Sequence, residues 1–287
     1  METTELTEKL FFELLREIPK NANKGTLGTL TVVAGSECFR GAASLCTGAA
    51  LRTGAGIVRL VSVEKAVECT AARHPTCTFI PVLAEKNGMI SYDDFTPKLK
   101  LLSFSSALLC GCGLGQSEDT RRIVAELLTL GKPTVLDADA LNVISHEPSV
   151  LTNTSSAVII TPHIGEMSRL SGKSIPEIKT DRAACAKAFT DRYGCVTVLK
   201  DDITFIASPD GNVYEGRLGN QGLAKGGSGD VLAGFIGGFL AQGYTPTESA
   251  VLANILHGLC ASLCAAEKGF RAMLPDELEN YVCRVLA

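Results

Sequence analysis

The sequence predicts an α/β domain wound in both directions around a mostly parallel sheet. Three observations carry that prediction. Short β-branched or leucine-rich runs alternate with helical patterns along the chain. No Ser/Pro-rich linker divides its 287 residues. The residues with chemistry, Gly111–Gly115, Asp137, Asp139, Thr161–Glu166 and Lys200, each directly follow the C-terminal end of such a run. Ligands of open α/β sheets bind at that edge, so the shared address weighs more than any one residue.

Residues 5–18 space Leu6, Leu10, Phe11, Leu14 and Leu15 as a helix would, which predicts a surface helix. It belongs to a lead-in, residues 1–23, ahead of a single domain at 24–287. Thr29–Ala34 is a β-branched run stopped by Gly35-Ser36. The small-residue stretch Gly41–Arg52 reads as a helix and Ile57–Val63 as a strand, together a βαβ crossover. Ala107–Cys110 is a buried strand ending at Gly111, and Glu118–Leu130 a helix. Pro133–Leu136 ends at Asp137, and Ala157–Ile160 ends at Thr161-Pro-His163. Pro176, favoured in a first helical turn, opens a largely helical stretch to Tyr193. Val196–Leu199 ends at Lys200, and Ser208-Pro-Asp-Gly211 predicts a hairpin between Ile203–Ala207 and Asn212–Glu215. Helices over Asp230–Gln242, Thr247–Ala266 and Asp276–Leu286 close the chain.

Composition narrows the function classes. A 46% hydrophobic, 20% charged chain excludes disorder. A net charge of -4 with 6% aromatics and no Trp argues against nucleic-acid and anionic-membrane partners. The acidic N-terminus lacks the features of a signal peptide, and no apolar run approaches the ~18 residues of a membrane span. The eleven cysteines are odd in number and lack CxxC spacing, so free thiols in a reducing, cytoplasmic setting are expected. Cys260/Cys264 has His257 nearby but no fourth ligand at zinc-site spacing, and His257 is expected to be a satisfied core residue. Glycine is in surplus, 28 residues where about 7% usage would give roughly 20.

Three of those glycines stand in Gly226-Gly-Ser-Gly-Asp230, immediately before an apolar helix. Bare backbone N–H groups at a helix N-terminus, with the helix dipole behind them, suit an oxyanion or phosphate. No Lys-Ser/Thr follows, so this is not a Walker A loop, and it is not a dinucleotide GxGxxG. Ser228 or Asp230 could be an ordinary N-cap, but a cap alone would not require three glycines. A carboxylate beside a phosphate site is costly unless it takes a proton from an attacking hydroxyl, which singles out Asp230.

Gly226–Asp230 resembles the anion hole and catalytic base of the ribokinase-like superfamily. Lys24-Gly-Thr-Leu-Gly28, Gly41-Ala-Ala43, Ala50–Gly56, Cys110-Gly-Cys-Gly-Leu-Gly115, Leu136-Asp-Ala-Asp-Ala-Leu-Asn142, Thr161-Pro-His-Ile-Gly-Glu166 and Leu199-Lys200 are similar to stretches of its ADP/ATP-dependent NAD(P)H-hydrate dehydratases, in the same order. The resemblance implies a three-layer ribokinase-like sandwich. It implies repair of NADHX or NADPHX, nicotinamide dinucleotides hydrated across C5–C6: the C6 hydroxyl is phosphorylated by ADP or ATP with Mg²⁺, and phosphate then leaves. Asp230 would be the base and a substrate contact, and Gly227, Ser228 and Gly229 the anion hole. Ala42, Ala43, Gly113 and His163 would contact the hydrate, and Lys200, Asp201, Asp202, Ile203 and Thr204, with Gly229, the nucleotide. No residue is assigned as a metal ligand. A separate epimerase and a tetrameric homo-oligomer are expected by the same resemblance, the epimerase domain fused in some relatives being absent.

The sequence departs from that pattern at Asp201, where a Gly usually follows the Lys, and at Cys112 and Ile164, each in place of a common Pro. Asp137 and Asp139 are open between orienting substrate or metal-bound water and capping the helix near Ala140, the cap being favoured for Asp139. Glu166 is expected to complement a helix dipole, and Asn220 to shape its loop. The alternatives are a ribokinase-like kinase for a vitamin precursor, sharing Asp230 and the anion hole, and a catalytically dead nucleotide-binding regulator.

Overall fold

The continuous Val/Leu/Ile runs become central strands buried along their whole length, as parallel strands covered on both faces must be. A computed structural model describes residues 2–286. The strands are β1 (Thr4–Glu5), β2 (Thr29–Val33), β3 (Ile57–Val63), β4 (Thr78–Val82), β5 (Ala107–Cys110), β6 (Thr134–Leu136), β7 (Val158–Ile160), β8 (Val196–Leu199), β9 (Thr204–Ala207) and β10 (Val213–Gly216). β2, β5, β6, β7 and β8 are buried at every residue. All ten form one sheet in the order β1-β10-β9-β8-β7-β6-β5-β2-β3-β4. Seven of the nine pairings are parallel; β8 with β9 and β9 with β10 are the antiparallel ones. The winding reverses between β2 and β5, where Gly35 N–H donates to Cys112 C=O at 2.8 Å.

Helices cover both faces and make the three layers. On one, Ser228–Ala241 packs between Arg40–Arg52 and Pro246–Ala272, and Leu278–Val285 closes on both neighbours. Ser228–Ala241 is apolar all round, and twelve of its fourteen residues are buried, as a helix with no polar face requires. On the other, Glu118–Thr129, Asp139–Ile144, Ile164–Ser171 and Ile175–Thr180 pack in succession. Pro246–Ala272 is long and apolar enough to cross a membrane by length and composition, but 72% of its most apolar stretch is buried in the fold.

Several boundaries differ from the sequence expectation. The N-terminal helix is shorter, Glu8–Leu14, because residues 4–5 add to the sheet beside β10 and Leu6 and Phe11 enter the core. The stretch after Pro176 is two helices, Ile175–Thr180 and Arg182–Tyr193, broken at Asp181, whose carboxylate accepts from Ala184 N–H at 2.9 Å. The long helix runs on to Ala272 across a kink at Gly269. Helix Glu64–Arg73 and edge strand β4 were not expected at all. β4 contains Pro81 and has one buried residue, so it lacks the apolar run and the donors of an interior strand.

Candidate active site

Four adjacent parallel strands end side by side, and the ladder continues one step beyond them. Asp137 N–H donates to Cys110 C=O (3.1 Å), Thr161 N–H to Leu136 C=O (3.2 Å) and Lys200 N–H to Pro162 C=O (2.8 Å), so His163 and Lys200 pair across a parallel bridge. The side chains then converge. Asp137 Oδ1 accepts from Lys200 Nζ at 2.8 Å and from Thr161 Oγ1 at 2.5 Å. Burial disfavours the Lys200 ammonium, but the charges of Asp137 and Glu166 outweigh it and raise its pKa. Ala138 is the one non-glycine residue with φ in the left-handed range among the described residues (51°). Its turn separates two aspartates with different tasks. Asp137 enters the site, whereas Asp139 Oδ2 accepts from Gly115 N–H at 2.8 Å. Asp139 is therefore not a helix cap, contrary to expectation: it stands inside the first turn, makes no capping bond and ties down the Gly111–Gly115 loop.

Over these strand ends lies a cavity of about 650 Å³, closed on its other side by the glycine-rich turn. Neither Ser228 nor Asp230 is the N-cap. Gly227 is, at φ 102°, a conformation glycine adopts without a Cβ penalty, and no side chain caps the helix. Ser228 N–H donates to Lys225 C=O at 3.3 Å, whereas the N–H groups of Gly229 and Asp230 precede any carbonyl their own helix could offer, and all three residues line the cavity. A Cβ on Gly229 would lie 3.3 Å from Lys200 Nζ. Lone N–H donors, a helix dipole and an ammonium thus face one space, which suits an oxyanion.

Asp230 is the third residue of that helix. Its carboxylate, the Asp137 carboxylate and the Cys112 thiol have ligand atoms within 4.8 Å of one another. Burial, then the charge of Asp137, pushes Asp230 up to about 6. A hydrogen bond with Cys46 and burial hold the Cys112 thiol neutral. A carboxylate with proton affinity near neutrality, beside an anion site, is equipped to take a proton from a hydroxyl attacking that anion.

His163 is the N-cap of helix Ile164–Ser171. Its Nδ1 accepts from Gly165 N–H (2.9 Å) and Glu166 N–H (3.3 Å), while Glu166 Oε2 accepts from His163 N–H at 2.8 Å. Burial and then Lys200 lower the His163 pKa, so the ring is neutral with its proton on Nε2 at the cavity wall. Glu166, pushed up to about 7 by burial, completes a reciprocal capping box rather than acting on the dipole alone. Asn220 shapes its loop, accepting from Gly222 N–H at 2.9 Å.

The cavity gathers His163, Lys200, Asp201, Asp202, Thr204 and Gly227–Asp230 from the sequence expectations, but not Ile203. Nor does it gather Ala42, Ala43 or Gly113. These lie at the switch between β2 and β5: a Cβ on Gly113 would meet Ala42 Cβ at 2.8 Å, and Ala43 is fully buried, 2.8 Å from where a Cβ on Gly35 would stand. The unexpected charge of Asp201 is answered by Arg182, whose Nη1 donates to Asp201 Oδ2 at 3.0 Å and also to Asp202 Oδ1. Sequence reasoning missed Asn254 and Gly258, and took His257 as satisfied. All three line the cavity, and His257 Nε2 is buried without a partner. Their i, i+3, i+4 spacing on one helix was the available signal.

Sheet order, uncapped glycine-rich helix and its half-buried aspartate together define a ribokinase-like α/β domain. Residues 30–284 match the model of the Carb_kinase family, NAD(P)H-hydrate dehydratase, and the chain belongs to that family. It is 38% identical over 268 residues, 93% of this chain and 50% of the relative, to a bifunctional NAD(P)H-hydrate repair enzyme of Moorella thermoacetica. The chain spans about half the length of such bifunctional relatives. An ADP-dependent (S)-NAD(P)H-hydrate dehydratase of Neisseria meningitidis is 36% identical across 89% of this chain and 83% of its own. The crystal structure of the ADP/ATP-dependent NAD(P)H-hydrate dehydratase from Bacillus subtilis, co-crystallised with ATP/Mg²⁺, superposes with a TM-score of 0.85 at 31% identity, over 100% of this chain and 98% of that one.

Proposed function

We propose that this chain dehydrates hydrated nicotinamide dinucleotides, NADHX and NADPHX, at the expense of ADP or ATP. The observation that carries the reading is the placement of Asp230, a carboxylate raised to about 6, in the first turn of an uncapped glycine-rich helix. Family membership supplies the reaction class.

Asp230 takes the proton of the C6 hydroxyl. The hydroxyl oxygen then attacks the terminal phosphorus of the donor, and the nucleotide departs one phosphate shorter. The first-turn N–H groups of Gly229 and Asp230 and the Lys200 ammonium hold the charge on the transferring group. Phosphate is a far better leaving group than hydroxide: the ring nitrogen expels it, and loss of a C5 proton restores the C5–C6 double bond. The neutral His163, with N–H on Nε2, and the Ala42/Gly113 surface hold the hydrate on the β5 side. Lys200, Asp201, Asp202, Thr204 and Gly229, which line the cavity, serve the nucleotide, with Arg182 neutralising the two aspartates.

Mg²⁺ suits the donor set here. A hard cation bound by one carboxylate and the donor phosphates finds Asp137 Oδ2, which meets only the Cys112 thiol at 3.7 Å while Oδ1 takes the lysine. When bound, the ion offsets phosphate charge. The reading takes the chain as one domain, with the first strand and helix built into its sheet and core, working in the cytoplasm beside a separate epimerase and as a homo-oligomer. Eleven unpaired cysteines support the reducing compartment.

The test is incubation of NADH hydrate with ADP and, separately, ATP, following recovery of the reduced-nicotinamide absorbance. Recovery with either donor is expected. A flat trace, with phosphate moved stably to another alcohol, would establish the kinase alternative instead.

A further inference from the structure

The turn that carries the anion site has few side chains to hold it. Gly226, Gly227 and Gly229 have none, and no side chain caps helix Ser228–Ala241. The Ser228 hydroxyl is buried without a hydrogen-bond partner among the described residues. Glycine also has the most conformational freedom to lose. A turn of this composition needs an anchor outside itself if its N–H groups are to keep one direction.

Lys225 stands immediately before the turn and lines the cavity, where a lysine would ordinarily be read as a phosphate ligand. Its bonds give it another task. Nζ donates to Arg271 C=O at 2.9 Å, to Phe270 C=O at 3.3 Å and to Met273 C=O. An ammonium has three protons, so three carbonyls use them all and leave none for a phosphate. These carbonyls lie at the end of Pro246–Ala272, beyond its kink at Gly269. Helix carbonyls have no partner of their own there, and a cation is favoured.

The backbone of the same residue fixes the turn as well. Lys225 N–H donates to Leu223 C=O at 2.7 Å, and Lys225 C=O accepts from Ser228 N–H at 3.3 Å. Gly227 then sits against Leu45 and Pro275: a Cβ on it would lie 2.7 Å from Leu45 Cδ1 and 3.4 Å from Pro275 Cβ. Pro275 closely follows Met273, so ammonium and proline tie the turn to one segment.

We propose that Lys225 is a positioning residue for phosphoryl transfer. Its saturated ammonium tethers the glycine-rich turn to the end of Pro246–Ala272 and keeps the Gly229 and Asp230 N–H groups aimed at the transferring group. This rests on the phosphoryl-donor reading above, and Lys225 acts through those N–H groups rather than on the phosphates.

Steady-state kinetics of Lys225→Met and Lys225→Arg test it, with NADH hydrate and ADP or ATP below each variant's denaturation midpoint and donor Kd taken by calorimetry. Methionine keeps the stem and removes the protons. Misaimed N–H donors lose transition-state stabilisation, so kcat should fall about tenfold to a hundredfold while donor KM and Kd stay within about threefold. Arginine keeps a cation that suits a phosphate but spreads its protons over a planar fork. There kcat should fall about threefold to tenfold, again with donor affinity held. Lys225→Arg decides the matter where Lys225→Met does not fold, and an unchanged kcat in it overturns the proposal. In Lys225→Met, donor affinity weakened tenfold or more would make Lys225 a phosphate ligand, and unchanged kcat and KM would make the tether merely structural. Either result overturns the proposal. An unaltered chain that transfers no phosphate from either donor overturns the donor reading and this proposal together, and does so before any variant is compared.

Discussion

Two glycine-rich turns flank the site, Gly111–Gly115 and Gly226–Gly229, and Gly111 and Gly226 are small for opposite reasons. At Gly111, φ is 131° and a Cβ would fall 1.8 Å from the Asp137 carbonyl oxygen: the residue is small because protein fills the space. At Gly226 nothing lies within 4 Å of where a Cβ would stand, and a Cβ on Gly229 would lie 3.3 Å from the Lys200 ammonium; Gly227 between them, at φ 102°, is packed, with Leu45 Cδ1 2.7 Å from where a Cβ would stand. At Gly111 glycine lets strand and loop pack; at Gly226 it leaves the backbone open to the cavity. A motif of repeated glycines carries no such distinction in itself; the surroundings do.

That contrast is broken most directly by a matched pair of substitutions. Gly111→Ala should cost on the order of 4 kcal/mol, from backbone strain and overpacking together, read as a lower denaturation midpoint. Gly226→Ala should leave stability within about 0.5 kcal/mol. A large loss at Gly226 would show that it too is a packing glycine.

Next in size is Lys200→Met, which leaves Asp137 buried and unpaired beside Thr161. A loss of about 3 kcal/mol is expected from stranding that carboxylate. Asp230 should also titrate higher, because Lys200 holds it down. An unchanged midpoint would mean that Asp137 is satisfied without its lysine.

The site was legible where chemistry sits at strand ends. Asp137, Thr161 and Lys200 were visible as the residues that stop apolar runs, and the parallel sheet brings them together whatever the details of the loops. Asp139 was misread because an aspartate ahead of a helix looks like a cap, and only the left-handed turn at Ala138 sends its carboxylate to Gly115. His257 was misread because an isolated histidine in an apolar helix looks the same whether it faces core or cavity. β4 was invisible for want of burial: an edge strand with Pro81 has little apolar pattern to show.

A pH profile sharpens the contrast further, because only the ligand-facing turn carries a titrating base. Asp230 must be ionised to accept a proton, and burial raises it to about 6, so kcat/KM should fall about tenfold per pH unit below that value and level off above it. Glu166, raised to about 7, sits in a capping box, so Glu166→Gln should leave the acid limb in place. A limb near 7 that disappears in Glu166→Gln would transfer the role to Glu166.

The smallest effect is expected at Asp201. Asp202 also pairs with Arg182 and half-exposed ion pairs are weak, so Asp201→Gly should change stability by no more than about 0.5 kcal/mol. Donor affinity should move less than about threefold. A tenfold gain would mean that the aspartate works against the nucleotide despite Arg182.

The central claim is that Asp230 is the base of a phosphorylation-driven dehydration. It is tested most directly by Asp230→Asn, supplied with NADH hydrate and ADP or ATP, with recovery of the nicotinamide absorbance and donor binding measured on the same sample. The expected result is turnover reduced about a thousandfold or more, with donor affinity within about threefold of the unaltered chain. Turnover retained within tenfold would contradict the claim.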